Sequence, residues 1–354
     1  MSKFLSTSLR KLEEYTPGEQ PQDKQYIKLN TNESPFPPSE SVIKVVSSEE
    51  IEKLRLYCDP ECRELKKELA NLYNTKPENI FVSNGSDDIL NFSFMAFGEK
   101  GVIFNDITYG FYSVYANLYG LDTEIVPLKD DFTVDTDRFM NKNKFIVIAN
   151  PNAPTGITIT LQKIEEILKS NPQNVVLIDE AYVNFGAESC SSLTEKYENL
   201  LCVQTFSKSR SMAGARLGFA IGNKELISDL EKIKYSTNPY NINRLTQVAG
   251  VAALKENDYY MANCKKIIKN REFTANELEK LGFSILPSKA NFIFAKSDKI
   301  SGLEFYEKLK KKGILVRHFK TPRIDSYNRI TIGSFEEMQT FIEKTKEILG
   351  EIDL

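Results

Sequence analysis

The stretch FIVIANPNAPTG, residues 145–156, joins five apolar residues to a loop of asparagine, proline and glycine. The apolar run has the length of a buried strand, and the loop marks its end. The same arrangement returns at VVLIDEAY, residues 175–182, and at LLCVQTFSK, residues 200–208. An acidic residue ends the first of these two runs, and a lysine follows the second. Polar groups at the ends of successive strands indicate a site at one edge of a sheet.

Apolar runs of this kind alternate with segments of helix length, such as residues 160–170. Continuous apolar strands between helices are typical of an α/β fold in which helices cover both faces of a mainly parallel sheet. In such sheets ligands bind beyond the carboxyl ends of the strands. The predicted strands of the sheet are seven: 80–83, 101–104, 123–126, 145–149, 175–178, 200–203 and 219–221.

The chain is predicted to divide into three parts. Residues 1–40 are polar and rich in proline, which indicates an extended arm that joins a smaller domain. Residues 41–243 form the large, ligand-binding domain. Residues 244–354 combine long helical patterns with short strand-like runs, which predicts a smaller α+β domain.

Composition excludes several classes of protein. The formal net charge of -3 gives no overall cationic field for nucleic acid or an anionic membrane. The N-terminus lacks an apolar signal core, and no apolar stretch approaches about 18 residues. Five cysteines without a CxxC pair suggest neither a disulfide framework nor a metal site. We therefore expect a cytoplasmic protein that binds no nucleic acid, no membrane and no metal.

His318 is the only histidine of the chain. A Ser-His-Asp or Cys-His triad could use no other residue, and a centre of several histidines is excluded. An enzyme of this composition must move protons with a lysine or carboxylate of shifted pKa, or with a cofactor.

Three charged residues match the needs of pyridoxal 5′-phosphate: an amine for its aldehyde, a carboxylate for its ring nitrogen and a cation for its phosphate. Lys208 can form an imine and shuttle a proton. Asp179 ends an apolar run, and Arg216 follows the lysine by eight residues in a stretch of small residues. Alone, Lys208 could equally be an exposed lysine, and Asp179 a helix N-cap.

Other polar residues surround these three in the sequence. Thr205 and Ser207 lie next to Lys208 in the sequence. Tyr182 follows Asp179 by three positions, where its hydroxyl could approach the O3′ atom of the cofactor. A turn at Gly85, Ser86 and Asp87 lies between a strand and a helix, so its backbone N–H groups could bind the phosphate. A turn of this composition is also a common helix cap.

These motifs resemble the fold-type I pyridoxal-phosphate aminotransferases, and among them the histidinol-phosphate aminotransferase group, over essentially the whole chain. The resemblance implies that Tyr109 stacks on the cofactor ring. It also implies that Tyr57 reaches the cofactor phosphate of a partner subunit, and therefore a homodimer with shared active sites. By the same similarity, the residues expected around the substrate are Tyr15, Asn32, Arg317 and Arg329.

One position departs from the pattern of the group, which usually has asparagine immediately before Pro-Thr-Gly. Here that position holds Ala153, and the nearest asparagine is Asn152. Either Asn152 takes over the contact with the cofactor O3′ atom, or Tyr182 alone serves it.

The resemblance implies a ping-pong aminotransferase of histidine biosynthesis that works through Lys208, with histidinol phosphate and 2-oxoglutarate as its small-molecule amino donor and acceptor. An aromatic aminotransferase or a threonine-phosphate-type decarboxylase shares nearly every cofactor contact and stays open as an alternative. A more remote alternative is a regulator that binds pyridoxal phosphate without catalysis, although no basic helix-turn-helix precedes the main domain.

Overall fold

A seven-stranded sheet forms the centre of the chain in the computed structural model, which describes residues 2, 4–6, 9–10, 12 and 15–352. Its strand order is β2-β8-β7-β6-β5-β3-β4. Only β8 runs antiparallel to its neighbours, so the predicted α/β fold with a mainly parallel seven-stranded sheet is confirmed. The strands are β2 (Ile80–Ser83), β3 (Val102–Asn105), β4 (Thr123–Val126), β5 (Phe145–Ala149), β6 (Val176–Asp179), β7 (Leu200–Thr205) and β8 (Gly218–Gly222).

Helices cover both faces of this sheet because its strands are apolar on both sides. On β5, for example, Ile146 and Ile148 enter one apolar core, while Phe145 and Val147 enter the other. The first face packs against α3 (Arg63–Tyr73), α6 (Leu161–Ser170) and α9 (Arg244–Lys255). The second face packs against α4 (Ser86–Phe97), α5 (Phe111–Leu118) and α8 (Lys224–Thr237).

A smaller antiparallel sheet follows in the last third of the chain, with the order β12-β13-β10-β9. Three helices accompany it, and they share an apolar core with it. The strands are β9 (Phe283–Ile285), β10 (Phe292–Ser297), β12 (Arg317–His318) and β13 (Asn328–Thr331). The helices are α10 (Asn257–Lys280), α11 (Gly302–Lys311) and α12 (Phe335–Gly350).

The proline-rich arm is tied to the smaller sheet. Its short strand β1 (Ile27–Lys28) pairs in parallel with β11 (Ile314–Leu315), and the Thr331 amide donates to the Leu29 carbonyl. Beyond the arm, the short helices α1 (Glu40–Val45) and α2 (Ser48–Glu52) pack against α9. The helix α9 thus packs in the core of the large sheet, although it follows residue 243. The predicted boundary between the two domains at residues 243 and 244 stays a prediction.

The smaller sheet also contacts the large domain through the loop between β12 and β13. Arg323 donates from Nη1 to the Leu128 carbonyl at 2.8 Å and from Nη2 to the Lys129 carbonyl. Next to it, the Tyr327 ring meets Phe132 edge-on at 5.5 Å. This contact fixes the strands β12 and β13 relative to the turn after β4. In the described part of the chain, no helix is both long and apolar enough to cross a membrane.

Candidate active site

The predicted site residues converge at the carboxyl ends of the parallel strands. Asp179 ends β6, Thr205 ends β7, and the loop 150–156 follows β5. The short helix α7 (Phe206–Ser209) begins directly after β7 and carries Lys208, with Thr205 as its N-cap. Because β5, β6 and β7 are neighbours in the sheet, these groups come together although they are far apart in sequence.

The Lys208 amine lies in a largely desolvated environment. It donates to the Thr31 carbonyl at 3.1 Å and lies 5.8 Å from the centre of the Tyr182 ring. Burial, and next the charge of Arg329, lower the pKa of Lys208 from 10.5 to about 8. The amine is therefore much closer to its neutral, nucleophilic form at physiological pH than an exposed lysine is.

The Asp179 carboxylate is buried and accepts two hydrogen bonds. The Tyr112 hydroxyl donates to Oδ2 at 2.7 Å, and the Ala181 amide donates to Oδ1 at 3.1 Å. Burial raises the pKa of Asp179 to about 6, while these two bonds act in the opposite direction. The carboxylate is consequently still ionised near neutral pH, as a partner for a protonated ring nitrogen must be.

A cradle of backbone and cationic groups, which we define as Gly85, Ser86, Asp87 and Arg216, lies beside Lys208. Gly85 has a φ of 85° and caps α4, and a Cβ there would lie 2.7 Å from Nη2 of Arg216. The guanidinium bonds Asp87 Oδ2 at 3.0 Å and the Ser207 hydroxyl at 3.4 Å. A helix N-terminus with a facing arginine is suited to a phosphate.

Two further predicted residues border the cradle. The Tyr109 hydroxyl donates to Asp87 Oδ1 at 2.8 Å, and its ring meets that of Tyr112 edge-on, with the centroids 5.7 Å apart. Thr205 accepts from the Ser207 amide at 3.1 Å, so its hydroxyl stabilises the first turn of α7.

The amide of Asn152 is engaged by the segment that follows β3 and by its own loop. Its Oδ1 accepts from the Thr108 hydroxyl at 2.9 Å, and its Nδ2 donates to the Ile107 carbonyl and the Thr155 hydroxyl. Ala153 is buried in an apolar cluster against which Tyr182 packs. These contacts favour the alternative in which Tyr182, rather than Asn152, serves the cofactor O3′ atom.

The expected substrate residues form the other wall of the site. Arg317 and Arg329 are directly paired across β12 and β13. Arg329 donates to the Asn30 carbonyl at 2.9 Å, and its buried Nε has no hydrogen-bond partner among the described residues. Tyr15 stacks on Phe111 at 4.2 Å. Burial raises the pKa of Tyr15, and the positive charges of both arginines oppose that rise. Both guanidinium groups therefore lie close enough to the Tyr15 hydroxyl to influence it.

Asn32 connects this wall to the cofactor side. Its backbone is left-handed, with a φ of 56°, and its amide Nδ2 donates to the Tyr182 hydroxyl at 2.9 Å. The Thr331 hydroxyl in turn donates to Asn32 Oδ1 at 2.9 Å. The side chain is thereby oriented at both ends.

Tyr57 is the one predicted residue that the structure does not bring to this group. Its side chain is 80% exposed, and its ring stacks on Tyr240 at 4.5 Å. The segment behind it is pinned, because Arg244 donates to the Tyr57 carbonyl and Lys234 donates to the Pro60 carbonyl.

Some residues of the site were not predicted from the sequence. Tyr112 follows Tyr109 by one helical turn, a spacing that could have singled it out. Thr31 and Asn30 contribute backbone carbonyls that accept from Lys208 and Arg329. Every residue type has such a carbonyl, so the sequence could not have indicated them. Phe292 lies under the Arg329 guanidinium at 5.4 Å and meets Tyr182 edge-on at 5.0 Å.

A second buried cluster lies behind Asp179. Donor atoms of Glu180, Cys190 and Cys202 lie within 4.8 Å of one another, a grouping that the scattered cysteines of the sequence did not suggest. Four groups already donate to the Glu180 carboxylate, from Ser189, the Cys190 amide, Cys202 and Gln204. Since burial also raises the pKa of Cys202 to about 11, this cluster is better explained as a satisfied carboxylate than as a metal site.

The fold and the site define an aminotransferase. The sequence profile of the family described as "Aminotransferase class I and II" matches residues 24–344. The chain therefore belongs to the class I and II aminotransferases, and the predicted enzyme class is confirmed.

Within this family the chain is similar to proteins named histidinol-phosphate aminotransferase. It is 54% identical over 352 residues to that of Brachyspira hyodysenteriae, with 99% of both chains covered. It is 48% identical to that of Clostridium botulinum strain Kyoto, with 99% of this chain and 100% of the relative covered. The histidinol-phosphate aminotransferase from Sinorhizobium meliloti, solved in complex with pyridoxal-5'-phosphate, has the same fold, with a TM-score of 0.89, 22% identity and 99% of both chains covered. The resemblance to this group is thus confirmed.

Proposed function

We propose that this aminotransferase uses pyridoxal 5′-phosphate to move an amino group from histidinol phosphate to 2-oxoglutarate, in histidine biosynthesis in the cytoplasm. The observation that carries the proposal is that Arg317 and Arg329 lie side by side on β12 and β13, where both charges act on Tyr15 and that of Arg329 also acts on the Lys208 amine. The relatives of the same name, at 48–54% identity, support the substrate.

The residues present fit the cofactor. A Cβ at Gly85 would lie 2.7 Å from Nη2 of Arg216 and push the guanidinium aside, so the glycine leaves this cation in place and allows close approach of a phosphate to backbone N–H groups. Asp179 would hold the ring nitrogen, Tyr182 the O3′ atom, and Tyr109 would cover the ring. When bound, the cofactor supplies an aldehyde for amines and a ring that withdraws electrons from the substrate Cα.

Lys208 has two roles in this proposal. Its Nζ, with a pKa lowered to about 8, would hold the cofactor aldehyde between turnovers and would take and return the proton on the substrate Cα. A positioned acid–base group of this kind contributes about 10²–10⁴-fold in rate. The nearby charge of Arg329 favours the neutral amine that this step requires.

The two arginines divide the substrate between them. Arg329 is half-buried, keeps its buried Nε free of other partners in the described chain and would bind a carboxylate of the amino acid or keto acid in a bidentate pair. Arg317 is more exposed and donates to the carbonyls of Thr16 and Pro17, so with Tyr15 it would bind the more distant phosphate of histidinol phosphate.

A homodimer with shared active sites is part of the proposal. Tyr57 projects into solvent from a pinned segment, as a residue that completes the site of a partner subunit would. It lies in a band of exposed apolar side chains that a second copy would cover. The band comprises Ile43, Val46, Ile51, Leu54, Leu56 and Tyr57.

The test compares substrates with and without phosphate. Purified enzyme with cofactor is assayed for keto products and carbon dioxide with histidinol phosphate, phenylalanine, tyrosine and threonine phosphate. We expect transamination of histidinol phosphate with the highest kcat/KM. Release of carbon dioxide without keto product, or a preference for the aromatic amino acids, would contradict the proposal in favour of the decarboxylase or the aromatic aminotransferase.

Arg317→Leu sharpens this test. Loss of a charged hydrogen-bonding partner should lower kcat/KM for histidinol phosphate by roughly 10–100-fold and leave that for phenylalanine nearly unchanged. Arg138→Leu, at a 60% exposed side chain remote from these residues, is the matched control. Equal losses for both substrates would show that Arg317 does not read the phosphate.

A further inference from the structure

The Asp179 carboxylate depends on a residue that lies outside the predicted site. Tyr112, in the first turn of α5, is fully buried and donates its hydroxyl to Asp179 Oδ2 at 2.7 Å. The other carboxylate oxygen accepts from a backbone amide, that of Ala181, which a side-chain substitution leaves in place. Tyr112 is thus the side chain through which the environment of Asp179 can be changed selectively.

The Tyr112 ring is fixed by aromatic neighbours. Phe94 stacks at 6.3 Å, Phe104 meets the ring edge-on at 5.8 Å, and Tyr109 does so at 5.7 Å. These contacts leave the hydroxyl little freedom to turn elsewhere. A buried hydroxyl needs a partner, and an ionised carboxylate is a better acceptor than a protonated one. The hydrogen bond therefore both orients Asp179 and favours its charge.

The other groups that face Asp179 oppose its charge. Burial and the negative charges of Asp87 and Glu180 all raise its pKa. The hydroxyls of Tyr109 and Tyr182 lie close by and are neutral, since burial raises the pKa of both. Against these influences, the hydrogen bond from Tyr112 is the strongest that lowers the pKa. Its loss would bring Asp179 toward protonation at neutral pH.

We propose that Tyr112 is a positioning residue that keeps Asp179 ionised and aimed at the ring nitrogen of the cofactor. The proposal rests on the proposed function, because it assigns Asp179 to that nitrogen. Tyr112 itself touches neither substrate nor cofactor in this role, and it acts through the carboxylate alone.

The first test needs no cofactor. Apo protein labelled with ¹³C at aspartate carboxyls is titrated by NMR, and the Asp179 signal is assigned by its loss in Asp179→Asn. Tyr112→Phe keeps the ring and its packing, and it should raise the proton affinity of Asp179 by about 10-fold or more. Tyr119→Phe, which removes a hydroxyl that donates to Asn91 at the end of the same helix, should leave it unchanged. An unchanged Asp179 midpoint in Tyr112→Phe would overturn the proposal.

The second test uses the cofactor and a double-mutant cycle. Tyr112→Phe should weaken binding of pyridoxal 5′-phosphate by roughly 5–50-fold and move the acidic limb of the kcat profile to higher pH. In an Asp179→Asn background the same substitution should change binding less than about twofold. A full effect in that background would make Tyr112 merely structural and refute the proposal. If wild-type protein fails to bind the cofactor, the proposed function fails instead, and the apo titration still judges Tyr112.

Discussion

Replacing Lys208 with methionine should stabilise the apo protein near neutral pH, although it removes the amine on which activity depends. The pKa of Lys208 is lowered from 10.5 to about 8, so the folded chain binds this proton less tightly than the unfolded chain does. That difference corresponds to a destabilisation on the order of 3 kcal/mol. Methionine also loses the hydrogen bond to the Thr31 carbonyl, which is worth about 1 kcal/mol. We therefore expect a net gain of about 2 kcal/mol.

The dependence on pH follows from the same two values. Below about pH 8 this amine is protonated in both the folded and the unfolded wild type, and the stabilisation by methionine is complete. As the pH rises from about 8 to 10.5, the folded amine is already neutral while the unfolded one is still protonated, so the wild type gains stability with pH and the advantage of methionine declines. Above 10.5 only the lost hydrogen bond remains, and the variant should be slightly less stable than the wild type.

Urea unfolding of both apo proteins, at one protein concentration and across this pH range, measures the difference. Cofactor must be absent, because it would bind the wild type more tightly than the variant and so stabilise the two proteins unequally. Lys232→Met, at an exposed position of α8, is the matched control and should change little. A Lys208→Met variant that is less stable than wild type at about pH 7, or a difference independent of pH, would refute the assignment of a desolvated amine.

Three further predictions concern other parts of the site. Gly85→Ala should weaken cofactor binding at least 10-fold in a fluorescence titration, because a Cβ would clash with the guanidinium of the cradle; Gly313→Ala has a nearly equal φ of 86° and open space, and should bind normally. Mixing inactive Tyr57→Ala and Lys208→Ala subunits should restore activity, because about half of the dimers then hold one intact site; continued inactivity of such mixtures would argue against shared sites. Arg323→Ala should lower the free energy of unfolding by about 1 kcal/mol, since it loses two hydrogen bonds to the turn after β4, and an unchanged urea midpoint would contradict this.

The sheet was predictable because its strands, apart from the edge strand β4, are buried on both faces. A strand such as β5 then reads as a continuous apolar run, and each of the seven runs proved to be a strand. The reversed direction of β8 was not predictable, because pairing direction depends on distant chain segments and leaves the local pattern unchanged. The short helices α1 and α2 were missed for a related reason: their helicity is stabilised by packing on α9, which no local period records.

The site was predictable where it depends on strand ends. Lys208, Asp179 and Arg216 meet because neighbouring strands deliver them to one edge. The hydrogen bonds of the Asn152 amide were not predictable, since its partner Thr108 lies in the segment after β3, 44 residues away in the sequence. Tyr112 escaped for the opposite reason, because a buried tyrosine on an apolar helix looks like ordinary core until its acceptor is known.

The arm gives the two halves of the site a common tether. Consecutive peptide carbonyls, those of Asn30 and Thr31, accept from Arg329 of the smaller sheet and from Lys208 of the large one. The Asn30 carbonyl thus occupies Arg329, which an incoming carboxylate must bind, and the Thr31 carbonyl occupies Lys208, with which an incoming aldehyde must react. Displacing this single stretch of backbone would free both side chains together. Binding of a carboxylate at Arg329 should therefore favour binding of the cofactor at Lys208, and the reverse.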